Sequence, residues 1–160
     1  MGKPLRRHRT LQPLSREHHH GLLLCWKIRN GLRRGVAVER IKKYCDVFFE
    51  SQLLPHFELE ETHLFPLLGT NHKLFKKGIK QHQQLELLFR KSASGEILIK
   101  IADLLEEHIR FEERQIFGEV QKIATPGELE KLSEVHSEYE PNCEVIENWD
   151  DNFWESNLAN

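Results

Sequence analysis

The sequence predicts an all-α protein, an up-down-up-down four-helix bundle with a short fifth helix and a C-terminal tail. Three observations carry this reading. No strand-like alternation persists in any segment, whereas apolar residues recur at helical spacing through most of the chain. Turn-forming clusters are few and short, and short connections make consecutive helices antiparallel neighbours. The 160 residues suffice for one domain with its own core.

The elements follow in order. A basic segment covers residues 1–13. Ser15, with Arg16-Glu17 after it, reads as an N-cap opening a helix to about Arg34, with Gly31 and Gly35 marking its end. A second helix runs from about Val38 to Leu68. Pro55 should kink it, because proline lacks an N–H and crowds the carbonyl four residues back. Pro66 weakens its last turn and Gly69 ends it. Asn71 caps a third helix to about Lys91, Ser92-Ala93-Ser94-Gly95 is a loop, and a fourth helix spans about Glu96 to Ala124. These helices make a bundle domain over residues 14–124. Thr125-Pro126-Gly127-Glu128 fits a capping box with proline at the first helical position, opening a short helix to about Tyr139. An acidic aromatic tail completes residues 125–160.

Charge is unevenly distributed. Residues 1–50 hold 12 Lys/Arg against 4 Asp/Glu, residues 51–125 hold 10 against 11, and residues 126–160 hold 1 against 10. The basic front lacks interleaved aromatics, so nucleic acid is not expected as a partner. Head and tail would instead neutralise each other within one molecule or in a homodimer. Trp149, Phe153 and Trp154 in the acidic tail are expected to dock on the basic half, near Arg33, Arg34, Lys42 and Lys43. No apolar run approaches the roughly 20 residues of a membrane span, and the N-terminus has no apolar stretch of signal-peptide type. Cys25, Cys45 and Cys143 are widely spaced, which suits reduced thiols and a cytoplasmic location.

His56/Glu60, His82/Glu86 and His108/Glu112 each have i, i+4 spacing, which places both residues on one helix face. Each pair interrupts an apolar seam. Leu53, Leu64 and Leu67 flank the first, Phe75, Ile79 and Phe89 the second, and Ile101, Leu105 and Ile116 the third. The first helix adds His18-His19-His20. His19 precedes Leu22, Leu23 and Trp26 on one face and is favoured, with His18 next and His20 facing solvent. A buried carboxylate costs several kcal/mol unless it is paired or binds a metal. Three such pairs at one level point to a metal site. His8, His63, His72 and His136 lack such an arrangement. Four imidazoles and three carboxylates suit two ions with bridging carboxylates and a bridging oxo or hydroxo group, leaving a position open for a small molecule. Nitrogen and oxygen donors without thiolate favour iron, with manganese or zinc as alternatives.

The ordered set H…HxxxE…H…HxxxE, and above all the H-F-x-x-E-E-x-x-L-F-P run at 56–66, resembles the hemerythrin-like (HHE cation-binding) family over about residues 14–122. The resemblance implies a four-helix bundle around a non-haem di-iron centre that binds O2. Glu60 and Glu112 would bridge the irons, with His19, His56, His82 and His108 as terminal ligands. Oxygen-carrying members have a histidine where this chain has Glu86. Their last carboxylate is an Asp five residues after its histidine, where this chain has Glu112 at four and Glu113 at five. A third carboxylate from Glu86 would make the cluster more negative and favour its oxidised state. Oxygen or redox sensing, or iron and oxidative-stress handling, is therefore expected rather than oxygen transport, with O2, another diatomic or peroxide as ligand. The alternatives are a ferritin-like di-iron oxidase, for which Glu60-x-x-His63 and Glu17-x-x-His20 have the spacing, and a metal-responsive interaction module without catalysis.

Overall fold

The computed structural model describes residues 6–139 and 143–155. These residues are all-α, and no strand occurs among them. No helix among them is long and apolar enough to cross a membrane.

Helix α1 covers Gln12–Arg33, with Pro13 in its first turn, where a missing N–H costs nothing. It starts before Ser15, whose hydroxyl instead donates to Glu113 at 3.2 Å. Gly31 lies inside α1 rather than marking its end. A Cβ there would stand 2.9 Å from Phe153 and 3.0 Å from Ile41, so glycine permits the close approach. Gly35, with φ +73°, makes the turn that follows.

The second helical stretch is one rod of several pieces. α2 (Val38–Phe48) passes through a π-helical turn, Phe49–Leu53, into α3 (Leu54–Leu59). The break predicted at Pro55 takes this form. A π turn, Glu60–Leu64, and a 3-10 turn, Phe65–Leu68, complete the rod. Gly69 ends it with φ +94°. α4 spans Lys73–Phe89, and its cap is His72 rather than Asn71, because the His72 ring accepts from the Leu74 N–H at 3.1 Å. α5 (Gly95–Phe111) opens on Ser94, which accepts from the Ile97 N–H. It continues through a third π turn, Glu112–Ile116, into α6 (Phe117–Ile123). The capping box at Thr125 and Glu128 forms as predicted, and α7 runs Pro126–Glu138. A single turn, α8 (Glu144–Glu147), leads to the tail aromatics.

α1 packs chiefly on α5, and α4 on α5. The core falls into two apolar clusters. One holds Leu24, Ile28, Phe48, Phe57, Leu85, Ile101 and Leu105. The other holds Leu11, Leu14, Leu64, Phe65, Phe111, Ile116 and Phe117 with Leu129 and Leu132 of α7. On each long helical stretch a histidine falls between residues of one cluster and residues of the other, so a polar layer divides the core. Two of the three π turns begin at Glu60 and Glu112, inside that layer; π turns occur frequently at functional sites.

The tail docks as expected. Phe153 is buried and packs edge-on to Tyr44, as does Trp149. Its direct ion pair is Arg40 with Asp151 at 2.6 Å, and of the four cations predicted Lys43 also acts on Asp151. Lys27 lies over the Trp154 ring at 3.8 Å and donates to the Tyr44 hydroxyl.

Candidate metal centre

His18 of α1, His56 of α3, His82 of α4 and His108 of α5 point their Nε2 atoms into the polar layer, with Glu60 and Glu112. All six residues are buried, and both glutamates are fully shielded from solvent. Their atoms crowd together. His18 Nε2 lies 2.9 Å from Glu112 Oε2 and 3.7 Å from Glu60 Oε2. His56 Nε2 is 3.2 Å from Glu60 Oε1, and His108 Nε2 is 2.6 Å from Glu112 Oε1. His82 Nε2 is 3.3 Å from Glu60 and 3.0 Å from His108 Nε2.

Closeness does not satisfy these atoms. The Nε2 atoms of His18 and His56 and all four carboxylate oxygens of Glu60 and Glu112 lack a properly aligned hydrogen bond. Orphaned buried polar atoms are rare and costly in folded proteins. These atoms, together with His82 and His108, form two donor groups, His18-His56-Glu60-Glu112 and Glu60-His82-His108-Glu112. Each group offers two imidazole nitrogens and two carboxylates, and both glutamates belong to both groups. Metal cations fit these residues and would satisfy the orphaned atoms of His18, His56, Glu60 and Glu112.

The outward nitrogens are held in turn. Each Nδ1 meets an oxygen: His18 that of Glu113 at 2.8 Å, His56 that of Glu17 at 3.2 Å, His82 that of Glu61 at 3.0 Å and His108 that of Gln81 at 2.6 Å. Such partners fix the ring and direct Nε2 inward. They also account for the doubled glutamates at 60–61 and 112–113. The first of each pair enters the layer, and the second backs a histidine of a neighbouring helix. Phe57 stacks on His82 at 3.9 Å, and Phe117 stacks on His18 at 5.4 Å.

On His18, His56, His82, His108, Glu17 and Glu112 burial is the largest influence, and it opposes charge. On His18 and His82 the carboxylates outweigh it and raise the imidazoles well above the usual range. His56 is raised to about 9 by Glu60 and Glu17 against its burial. His108 is the exception, since burial and the neighbouring His82 hold it below the usual value despite Glu112. Glu112 is held well below the carboxylate range by His108, His18 and its contact with Glu60. Glu17, despite burial, is lowered to about 2 by His136 and His56.

Beside the layer lies a cavity of about 20 Å³ lined by Gly21, Phe48, Leu53, Phe57, Leu105 and Ile109 together with His18, His56 and His108. A volume near this size holds about one water molecule.

The chain matches the model of the hemerythrin HHE cation-binding domain over residues 9–120. It belongs to the hemerythrin family. No match was found among curated proteins or among solved structures.

Two residues expected in this hemerythrin-family site lie elsewhere. His19 is exposed, and His18 takes the inward position. The packed face of α1 is marked by Gly21 and Cys25, while Leu23 and Trp26 are 39% and 48% exposed. Glu86 turns outward and pairs with Arg90 at 2.9 Å, its side chain 45% exposed. The inward stripe of α4 runs Gly78, Gln81, His82, Leu85, Phe89, and Glu86 falls one position beyond it. The donor count is therefore four imidazoles and two carboxylates, and the extra charge expected from Glu86 is absent from the layer. His20 and His63, required by the ferritin-like alternative, are not among the clustered donors. Sequence reading did not foresee Glu61 and Gln81, placed Glu17 only in the ferritin-like alternative, and set His136 aside. His136 stands seven residues after Leu129 and four after Leu132, on the buried stripe of α7, and this spacing was its only signal.

Proposed function

We propose that this chain is a four-helix bundle holding two iron ions, and that it binds O2 or a related small molecule as an oxygen or redox sensor or in iron and oxidative-stress handling. One observation carries the reading: two groups of buried donors that share both carboxylates, with all four of the shared carboxylate oxygens orphaned. Nitrogen and oxygen donors without thiolate favour iron or manganese. When bound, such a pair supplies redox chemistry and an open coordination position for a small ligand.

The chain's own residues do the rest. His18 and His56 would hold one ion, His82 and His108 the other, and Glu60 and Glu112 would span both. Glu113, Glu17, Glu61 and Gln81 orient the four rings. Phe57 and Phe65 pack on the His82 ring and Phe117 on the His18 ring. The small cavity is lined by three of the four histidines, and a volume that holds about one water suits a diatomic-sized molecule. That size limit favours sensing or small-oxidant chemistry over turnover of an organic substrate.

Iron quantitation on protein reconstituted anaerobically tests the reading. Two ions per chain are expected. His18→Ala or His108→Ala should lose metal and the thermal stability that bound metal confers. His19→Ala and Glu86→Ala should keep both ions. Wild-type protein that takes up no metal would overturn the proposal.

A further inference from the structure

We infer that Arg7 and His136, on opposite flanks of the family domain, are positioning residues for one metal position, that of His18 and His56. The inference rests on the two-metal reading above. Both residues lie outside the matched span 9–120, and they act at corresponding points. Glu113, which backs His18, accepts from Arg7 Nη2 at 2.8 Å and from the Ser15 hydroxyl at 3.2 Å. Glu17, which backs His56, accepts with its second oxygen from His136 Nε2.

A carboxylate held by one hydrogen bond can still turn about its last torsion. Held at both oxygens, it cannot, and the ring it meets is fixed with it. Each brace is itself anchored. Arg7 also donates to the Glu113 backbone carbonyl at 2.8 Å and lies over the Phe117 ring at 4.7 Å. His136 is delivered by α7, whose Leu129 and Leu132 are buried in the core and whose Glu130 pairs with Arg9 at 2.5 Å. At the other metal position His82 and His108 are backed by Glu61 and Gln81, and among the described residues neither backing group accepts a hydrogen bond from outside the family span.

The two positions should therefore respond differently when the flanks are altered. Losing a residue that orients a metal-bound histidine typically costs about 10–100-fold in affinity. Arg7 and His136 act one contact further out, so the lower end, about tenfold, is expected.

The test is titration with Co(II) alone, read by its visible absorption and by chelator competition, with proton NMR of the Co(II) form to follow the shifted Nδ1–H signals of the four ligand histidines. Wild type should bind two equivalents. His136→Ala should weaken one step about tenfold and leave the other within twofold, and so should Arg7→Ala combined with Ser15→Ala, because the Ser15 hydroxyl meets the same Glu113 oxygen as Arg7. His136→Ala should also speed exchange of a single ring proton, that of His56. His136→Gln, which keeps an N–H donor, should recover most of the lost affinity. Glu61→Gln should weaken the opposite step. Equal weakening of both steps, no change in either, or no rescue by glutamine would overturn the inference while the two-metal reading stands. A wild-type chain that binds no Co(II) would overturn both.

Discussion

Gly21 and Ile109 face each other where α1 packs on α5, beside the small cavity. Alanine at position 21 would place its Cβ 2.7 Å from Ile109 Cδ1, whereas ordinary contact is 3.4–4 Å. The isoleucine tip must then move by about 1 Å. Leu105 Cδ2, at 4.0 Å from the new methyl, stands on the same side, and the nearest free space is the cavity of about 20 Å³. Overpacking costs about 1–3 kcal/mol, here near the low end because a side-chain terminus can rotate. Replacing glycine within a helix returns about 0.5–1 kcal/mol. The net loss stays below about 1 kcal/mol, or no more than about 2–4 °C in Tm for a chain of this size. The cavity, however, is spent. Binding of nitric oxide to the anaerobic iron-loaded Gly21→Ala protein, measured with its metal content and thermal unfolding, checks this. Both ions should remain, Tm should fall by no more than about 4 °C, and affinity should drop more than about tenfold, or about 1.4 kcal/mol. Unchanged affinity in a variant that keeps both ions would refute the view that this cavity receives the ligand.

Two further outcomes are expected. Phe153→Ala should cost about 3 kcal/mol and Gly31→Ala about 1–3 kcal/mol; because the Gly31 methyl would meet the Phe153 ring at 2.9 Å, urea unfolding of the double variant should cost at least about 1 kcal/mol less than the sum, and additivity would show that the tail does not pack on Gly31. In metal-free protein the His56 pKa is raised from 6.5 to about 9, so the stability it contributes is fully present below pH 6.5 and is lost as pH rises through about 9. Metal binding needs the neutral ring, so the Tm difference between metal-loaded and metal-free protein should widen across that window; a difference that narrows would contradict the pairing of His56 with Glu60 and Glu17.

Much of the candidate site was legible in the sequence, for a physical reason. His56, Glu60, His108 and Glu112 repeat one i, i+4 pattern on apolar seams, and local spacing alone puts such pairs on one face. The errors arose where face assignment rested on residue size. Leu22, Leu23 and Trp26 drew the reading to His19, yet close packing on α5 selects the face that carries Gly21 and Cys25. Glu86 failed because the buried stripe of α4 advances from His82 by three residues to Leu85, not by four. The partners of the outward nitrogens were not legible at all. Glu113 meets His18 across 95 positions of sequence and His136 meets Glu17 across 119, and no local periodicity encodes contacts of that range.

The displacement of Glu86 changes where the negative charge lies rather than removing it. The layer itself holds two carboxylates, but three more, Glu17, Glu61 and Glu113, meet the outward nitrogens of His56, His82 and His18 at 3.2, 3.0 and 2.8 Å. A carboxylate on Nδ1 makes the imidazole a stronger donor to whatever its Nε2 holds. Only His108 is backed by a neutral group, the Gln81 amide. The His18 and His56 position is thus the more electron-rich of the two. It is offset on one side by the Arg7 charge on Glu113, and it borders the cavity together with His108. Counting ligands alone would assign equal halves to this centre. The hydrogen bonds behind the histidines make the two donor groups unequal.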